Sequence, residues 1–316
     1  MMHSFSHYDA LARQAATALY LYVDIETIPS QDATLIDAIR AKHNVAEPQL
    51  DAIEPDRRLK DPEKIADDLA RKREKAVADN STAIEKAEAA IEEEYRRTAL
   101  DASTGHIACA CVAVGTGDIY DATISCAAQF IEDAERDMLN ELFGGLEQLL
   151  QDHARNAALK SLDAQGRDNT ESLKLEIQRH RVVPVVVAHH AGFDIRYIWQ
   201  RAIVLGVTPP SWWPVDARPW DTDRVADTMT MWAGHGNRIG LDRLCKALGL
   251  PGKQGVDGSQ VWDLVRAGRI NEVVSYCDDD VRRLRSVHRK MLGLPQLEID
   301  EIEVPAEGAD GEREAA

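Results

Sequence analysis

The segment Arg181-Val-Val-Pro-Val-Val-Val-Ala188 constrains the fold most. It is nearly all valine, on both parities of a strand, so neither face is built to meet water. Such a strand belongs inside a sheet covered by other layers. Neighbouring patterns agree. Ala18-Leu-Tyr-Leu-Tyr-Val23 reads as a second buried strand. His106 to Val114 reads as a third, followed by the turn Gly115-Thr-Gly-Asp118 and another strand from Ile119 to Ser125. Helical periodicity covers Glu132 to Leu150, Phe193 to Leu205, Leu241 to Leu248 and Asn271 to Met291. The order is three strands, a helix, a strand, then helices. It predicts an α/β fold with a mixed central sheet flanked by helices.

Residues 48–104 break this pattern. They are rich in Ala, Glu, Lys, Arg and Asp and poor in large apolar side chains. Asp61-Pro62-Glu63 is a helix start, with a capping acid and an early proline. The stretch reads as a charged helical hairpin inserted in one domain spanning 18–292. Its second helix is expected over about 82–98. Residues 293–316 read as an acidic, disordered tail. Gly115-Thr-Gly117 lacks a third glycine and joins two strands, so it is not a dinucleotide loop.

The chain has 316 residues and a net charge of −17, which disfavours a passive nucleic-acid coat with a broad basic face. A carboxylate-rich site neutralised by cations remains compatible with that charge. The cysteines Cys109, Cys111, Cys126, Cys245 and Cys277 are odd in number and form no CxxC pair. A reducing, cytoplasmic setting is expected. Cys109 and Cys111 read as small buried residues rather than zinc ligands. No basic-then-apolar leader opens the sequence, and the longest apolar run is too short for a membrane span.

Three places carry chemistry. Asp24 and Glu26 are two apart at the end of a strand, so they share a face. Paired carboxylates repel unless a proton or cation lies between them, and hard oxygens suit Mg2+ or Mn2+. Alone, such a pair is more often a strand end with exposed acids. Next, Ala188-His-His-Ala-Gly-Phe-Asp194 carries a buried strand into a helix. Asp194 there either points into a site or caps the helix. Adjacent His189 and His190 point opposite ways on a strand, so at most one faces the site. Finally, Tyr276-Cys-Asp-Asp-Asp280 lies within a helix, with Tyr276 and Asp280 four apart on one face. Three successive aspartates repel, and a cation would relieve that; the plainer reading is a solvated acidic patch.

Taken together, Asp24-Ile-Glu26, His190-Ala-Gly-Phe-Asp194 and Tyr276-Cys-Asp-Asp-Asp280 resemble the three exonuclease motifs of the DEDD superfamily, tyrosine subtype. Gly240-Leu-Asp-Arg-Leu-Cys-Lys-Ala-Leu-Gly-Leu-Pro-Gly-Lys253, with Asp257-Gly-Ser259, resembles a subgroup. It comprises stand-alone exonucleases related to the proofreading domain of family B DNA polymerases. The resemblance implies a ribonuclease H-like fold and a 3′–5′ exonuclease using two divalent ions, Mg2+ or Mn2+. It implies that Asp24 bridges both ions, that Glu26 and Asp280 complete one site and that Asp194 supports the other. Tyr276 would orient the attacking water. A tyrosine titrating near its usual value of about 10 is no base at neutral pH, so activation falls to the metal.

Thr27, His190, Phe193 and Lys253 are the implied substrate contacts. Histidine at 190 departs from the family, which usually has asparagine there. The implied partner is nucleic acid, with single-stranded DNA favoured and RNA the alternative. An inactive binding relative of the same fold is a further alternative. Arg218, Arg224 and Arg238 lie near the motifs and are weighed as phosphate contacts. Trp212, Trp213, Trp220 and Trp232 are weighed as base-stacking platforms against packing anchors, with packing favoured for at least two.

Overall fold

The computed structural model describes residues 18–117, 119–123, 131–166, 170–218, 221–253 and 257–297. Cys126, Trp220 and the tail from 298 onward lie outside them. Among the described residues, no helix is long and apolar enough to cross a membrane.

The frame is a five-stranded mixed sheet in the order β3-β2-β1-β4-β5. Strand β1 spans Tyr20–Ile28, β2 His106–Val114, β3 Ile119–Thr123, β4 Val185–Ala188 and β5 Val225–Asp227. β2 runs antiparallel to β1 and β3, while β4 pairs parallel with β1 and β5. The α/β expectation with a mixed sheet holds. β2 is buried along nearly its whole length and is built from Ala108, Cys109, Ala110, Cys111 and Ala113. Such small side chains let helices press close on both faces.

Two helices do most of that covering. Helix α3 (Ile131–Ala164) buries Met138, Leu139, Leu142 and Leu146 against the sheet. Helix α9 (Ile270–Met291) buries Val273, Cys277, Val281 and Leu284 on the opposite face. Between them in sequence lie α4 (Thr170–Arg179), α5 (Ala191–Leu205), α6 (Thr228–Ala233), α7 (Leu241–Ala247) and α8 (Val261–Arg266).

Some sequence expectations need correction. The charged segment is no hairpin. After α1 (Ala33–Lys42) it forms one continuous helix, α2, Pro62–Arg97. Its 36 residues make a rod about 54 Å long. Asn80-Ser81-Thr82 suggests a break, yet the Thr82 hydroxyl donates to the Ala78 carbonyl at 3.1 Å and the helix runs on. The valine strand starts only at Val185. Pro184 has no amide hydrogen, and Val182 and Val183 before it are exposed. β5 is three residues long, too short to show a pattern. The first strand extends through Ile28, so Asp24 and Glu26 sit within it rather than past its end.

The C-terminal end of α2 is tied firmly to the body. The Tyr197 hydroxyl donates to the Ala99 carbonyl at 2.9 Å, and Arg201 donates to the Ala102 carbonyl at 3.0 Å. Arg96 pairs with Asp263 at 2.7 Å, and Tyr95 meets Trp262 edge-on. A Cβ on Gly105 would lie 2.5 Å from both the Thr98 carbonyl oxygen and the Tyr197 hydroxyl. Only glycine lets the chain pass there.

Beneath this join lies a buried polar core. Both Glu135 oxygens accept from Arg201, at 2.9 and 2.7 Å. Glu135 also accepts the Ile107 amide at 2.9 Å and lies 2.9 Å from His106 Nδ1. Trp213 is buried with its Nε1 donating to the Ile195 carbonyl, and Trp212 donates to Glu147. Both are packing anchors, while Trp232 is 47% exposed.

Candidate active site

β1 positions the first two carboxylates. Asp24 faces Cys111 across the antiparallel ladder, and Glu26 faces Cys109. Side chains directly opposite share a face, so both acids stand beside a small thiol rather than a bulky neighbour. The register slips between Glu26 and Thr27, a bulge at the point where the strand leaves the site. α9 crosses this same face. Its Cys277 thiol donates to Asp24, at 3.4 Å to the carbonyl and 3.5 Å to Oδ2. Burial, followed by the neighbouring thiols, pushes Cys277 well up, so it stays a neutral donor.

Asp280, three residues further along α9, completes a group with Asp24 and Glu26. One carboxylate oxygen from each lies within 4.8 Å of the others. Asp194 falls outside that group but is close enough to raise the Asp24 pKa further. Asp194 is 5% exposed, and its Oδ2 has no hydrogen-bond partner. Burial pushes Asp24, Glu26 and Asp194 well above the usual carboxylate range, and neighbouring carboxylates add to it.

The capping role weighed for Asp194 belongs to another residue. Asp227, ending β5, accepts the amides of His190 and Ala191, each at 3.1 Å. It also accepts the amides of Met229 and Thr230 at the start of α6. Asp194 is thereby left to point inward. Asp227-Thr-Met in front of a helix is an N-cap signature legible in the sequence, but nothing there shows that it serves two helices.

The two histidines follow β4 rather than lying on it, so strand alternation does not govern where they point. His189 is structural: Nε2 lies 2.7 Å from the Ile239 carbonyl and Nδ1 2.9 Å from the Thr228 hydroxyl. The carbonyl can only accept, so Nε2 carries the proton. His190 sits in the left-handed region at φ 78°. Asparagine and histidine tolerate that conformation better than most side chains, which accounts for the asparagine-to-histidine exchange without invoking a ligand. The His190 ring stacks on Phe193 at 6.1 Å, and Phe193 meets Tyr197 at 5.2 Å. Thr27 is partly exposed just beyond the acids.

Tyr276 and Asp280 share a face of α9 with Lys253. The Lys253 ammonium contacts the Tyr276 hydroxyl and lies 3.6 Å from its ring centroid and 3.5 Å from Asp280 Oδ2. The loop is fixed by the Lys253 amide, which donates to Asp242 Oδ1 at 2.6 Å. The aspartate run is balanced internally. Asp278 pairs with Arg282, Asp279 with Arg283, and Asp280 with Arg283 at 3.0 Å. Asp278 and Asp279 therefore do not join the carboxylate group. Arg224 pairs with Asp216 at 2.9 Å, while Arg218 and Arg238 line a cleft beside His190.

The donor set is all oxygen, crowded, partly uncompensated and aimed at one space. That is what a hard divalent cation requires. The orphaned Asp194 oxygen is a further hard donor with no protein partner. Sequence reasoning missed the thiol floor: Cys277 lies inside the Tyr276 motif, but only strand pairing brings Cys109 and Cys111 beneath it.

Residues 147–292 match a family described as "Predicted 3'-5' exonuclease related to the exonuclease domain of PolB". No curated protein matches the chain.

Proposed function

We propose that the exonuclease chemistry of the family matched by residues 147–292 is the activity of this chain. It hydrolyses phosphodiester bonds from the 3′ end of DNA, single strands preferred, and releases nucleoside 5′-monophosphates. One observation carries the reading. Oxygens of Asp24, Glu26 and Asp280 converge within 4.8 Å, beside an Asp194 carboxylate with an unpartnered buried oxygen. The mixed sheet flanked by helices supports a ribonuclease H-like fold.

Asp24, Glu26 and Asp280 would hold one Mg2+ or Mn2+, and Asp24 with Asp194 the other. When bound, such ions neutralise phosphoryl charge and make water a nucleophile at neutral pH. The protein's own groups do the rest. Cys277 holds the Asp24 carboxylate in place from below. Asp227 fixes the His190 loop, so that Phe193 and His190 present a flat stacked surface to a terminal base. The Tyr276 hydroxyl orients water or a phosphate oxygen, with Lys253 beside it supplying positive charge.

The test is nucleotide release from single-stranded DNA with a free or a blocked 3′ end, in Mg2+, Mn2+ or chelator. Monophosphates should appear from the free end alone, and only with metal. Release from the blocked strand, or in chelator, would sink the reading. Matched RNA strands decide between sugar types, and faster release from RNA would replace DNA as the substrate.

Tyr276→Phe removes one hydroxyl and leaves the ring. The expected result is a fall in kcat of about ten- to a hundredfold, the scale of one charge-assisted hydrogen bond. Mn2+ binding by calorimetry should not change. An unchanged kcat would remove the orienting role.

A further inference from the structure

In a chain with net charge −17, three arginines converge on one cleft. Arg196, Arg218 and Arg238 line it together with His235, and its wall includes His190, the N-cap of the helix that carries Asp194. Its volume is about 320 Å³. Among the described residues, Asp227 is the one carboxylate on its wall. That carboxylate is committed to four backbone amides. The wall is rigidly mounted. Arg196 stands on α5, two residues after Asp194, while the loop carrying Arg238 leads into Ile239, whose carbonyl is held by His189. Arg196 also reaches the Val215 carbonyl at 3.5 Å, a long contact easily exchanged for a stronger acceptor.

Size, sign and position select the ligand. A cleft of this volume admits about one nucleotide unit, and guanidinium groups favour phosphate oxygens. We infer that this cleft binds the phosphodiester backbone of the same strand, upstream of the bond that is cut. The inference rests on the exonuclease reading and adds a subsite to it. Contacts to phosphate carry no sequence information, so the subsite grips any single strand. It confers a length requirement: a substrate must reach past His190 to gain this binding.

The experiment compares the wild type with Arg196→Gln/Arg238→Gln. A charge-matched control, Arg40→Gln/Arg57→Gln, lies outside the cleft wall. Binding of a labelled single strand of about 12 nucleotides, a typical groove length, is followed by anisotropy in chelator. The cleft variant should bind about tenfold or more weakly, the scale of losing charged hydrogen bonds. Its log K against log salt slope should shrink by roughly 1.4, two phosphates at about 0.7 each. The control should keep both. Turnover is then measured on the long strand and on an unphosphorylated dinucleotide, whose single phosphate is the scissile one. The ratio of kcat/KM between them should fall about tenfold in the cleft variant.

Unchanged strand binding, or an unchanged ratio, overturns the subsite. So does a variant that loses only inhibition by free nucleoside monophosphate, which would assign the cleft to released product. A wild type that hydrolyses neither substrate sinks the exonuclease reading, while the binding comparison still judges the cleft.

Discussion

Asp24→Asn should abolish nucleotide release and yet raise the melting temperature of the metal-free protein. Charge clamps of the kind proposed contribute several kcal/mol to the transition state, so the loss should reach about a thousandfold or more. The stability gain has a different origin. Burial raises the Asp24 pKa first, and Asp194, Glu26 and Asp280 raise it further. A carboxyl whose folded pKa is raised holds a proton that the unfolded chain would release. Its contribution to stability is full below the unfolded value, about 3.9 for aspartate, and is lost as pH rises through the folded value. The metal-free protein should therefore become less stable as pH climbs from about 4 into the raised range.

Asparagine carries no charge, so the variant should show a flatter pH slope. At neutral pH its melting temperature should be higher, by roughly 1.5 °C for each kcal/mol relieved in a protein of this size. Saturating Mn2+ should stabilise the wild type far more than the variant. Scanning calorimetry at several pH values, with and without Mn2+, reads all of this. A lower metal-free melting temperature, or equal Mn2+ stabilisation, would refute the assignment of Asp24 as a repelling metal ligand.

Arg201→Met should have the largest effect on folding. Arg201 and Glu135 are 2% and 0% exposed, and the arginine satisfies both carboxylate oxygens and the Ala102 carbonyl. Removing it strands a charge in the interior, at a cost of about 3–5 kcal/mol. Burial alone would raise the Glu135 pKa, but the hydrogen bonds from His106 and Arg201 outweigh it and the net direction is down. A lowered folded pKa gives stability that is present above the unfolded value, about 4.3 for glutamate, and lost as pH falls through the folded one. Arg201→Met should thus cost most near neutral pH and less in acid. Glu135→Leu/Arg201→Met should recover part of the loss, because no buried charge is stranded, while the Ile107 amide, His106 and the Ala102 carbonyl still lose their partners. Urea denaturation decides: a single-variant cost under about 1 kcal/mol would show that water reaches Glu135.

The sequence made some of this legible and concealed the rest for physical reasons. β2 could be read because a continuous run of small apolar residues reports burial on both faces, and α9 because its helical period reports burial on one. The acids at 24, 26, 194 and 280 could be singled out because paired or serial carboxylates are locally costly and call for an explanation. The second role of Asp227 could not be assigned, since only the β4–β5 pairing brings the His190 and Ala191 amides to it. The Glu135–Arg201 pair was hidden in the same way, each residue looking like an ordinary charge on an amphipathic helix. The unbroken α2 was missed because Asn80-Ser-Thr carries weak intrinsic preferences, which the strong helix formers on either side override.

The carboxylates that converge come from opposite ends of the described chain, Asp24 on the first strand and Asp280 on the last helix. Any fragment that contains the group must run from Asp24 to Asp280. During synthesis the ribosome delivers Asp24 long before its partners, and closure of so long a loop comes late in folding. A growing polypeptide therefore emerges with this carboxylate group still unassembled, and the group forms only once α9 docks across the sheet.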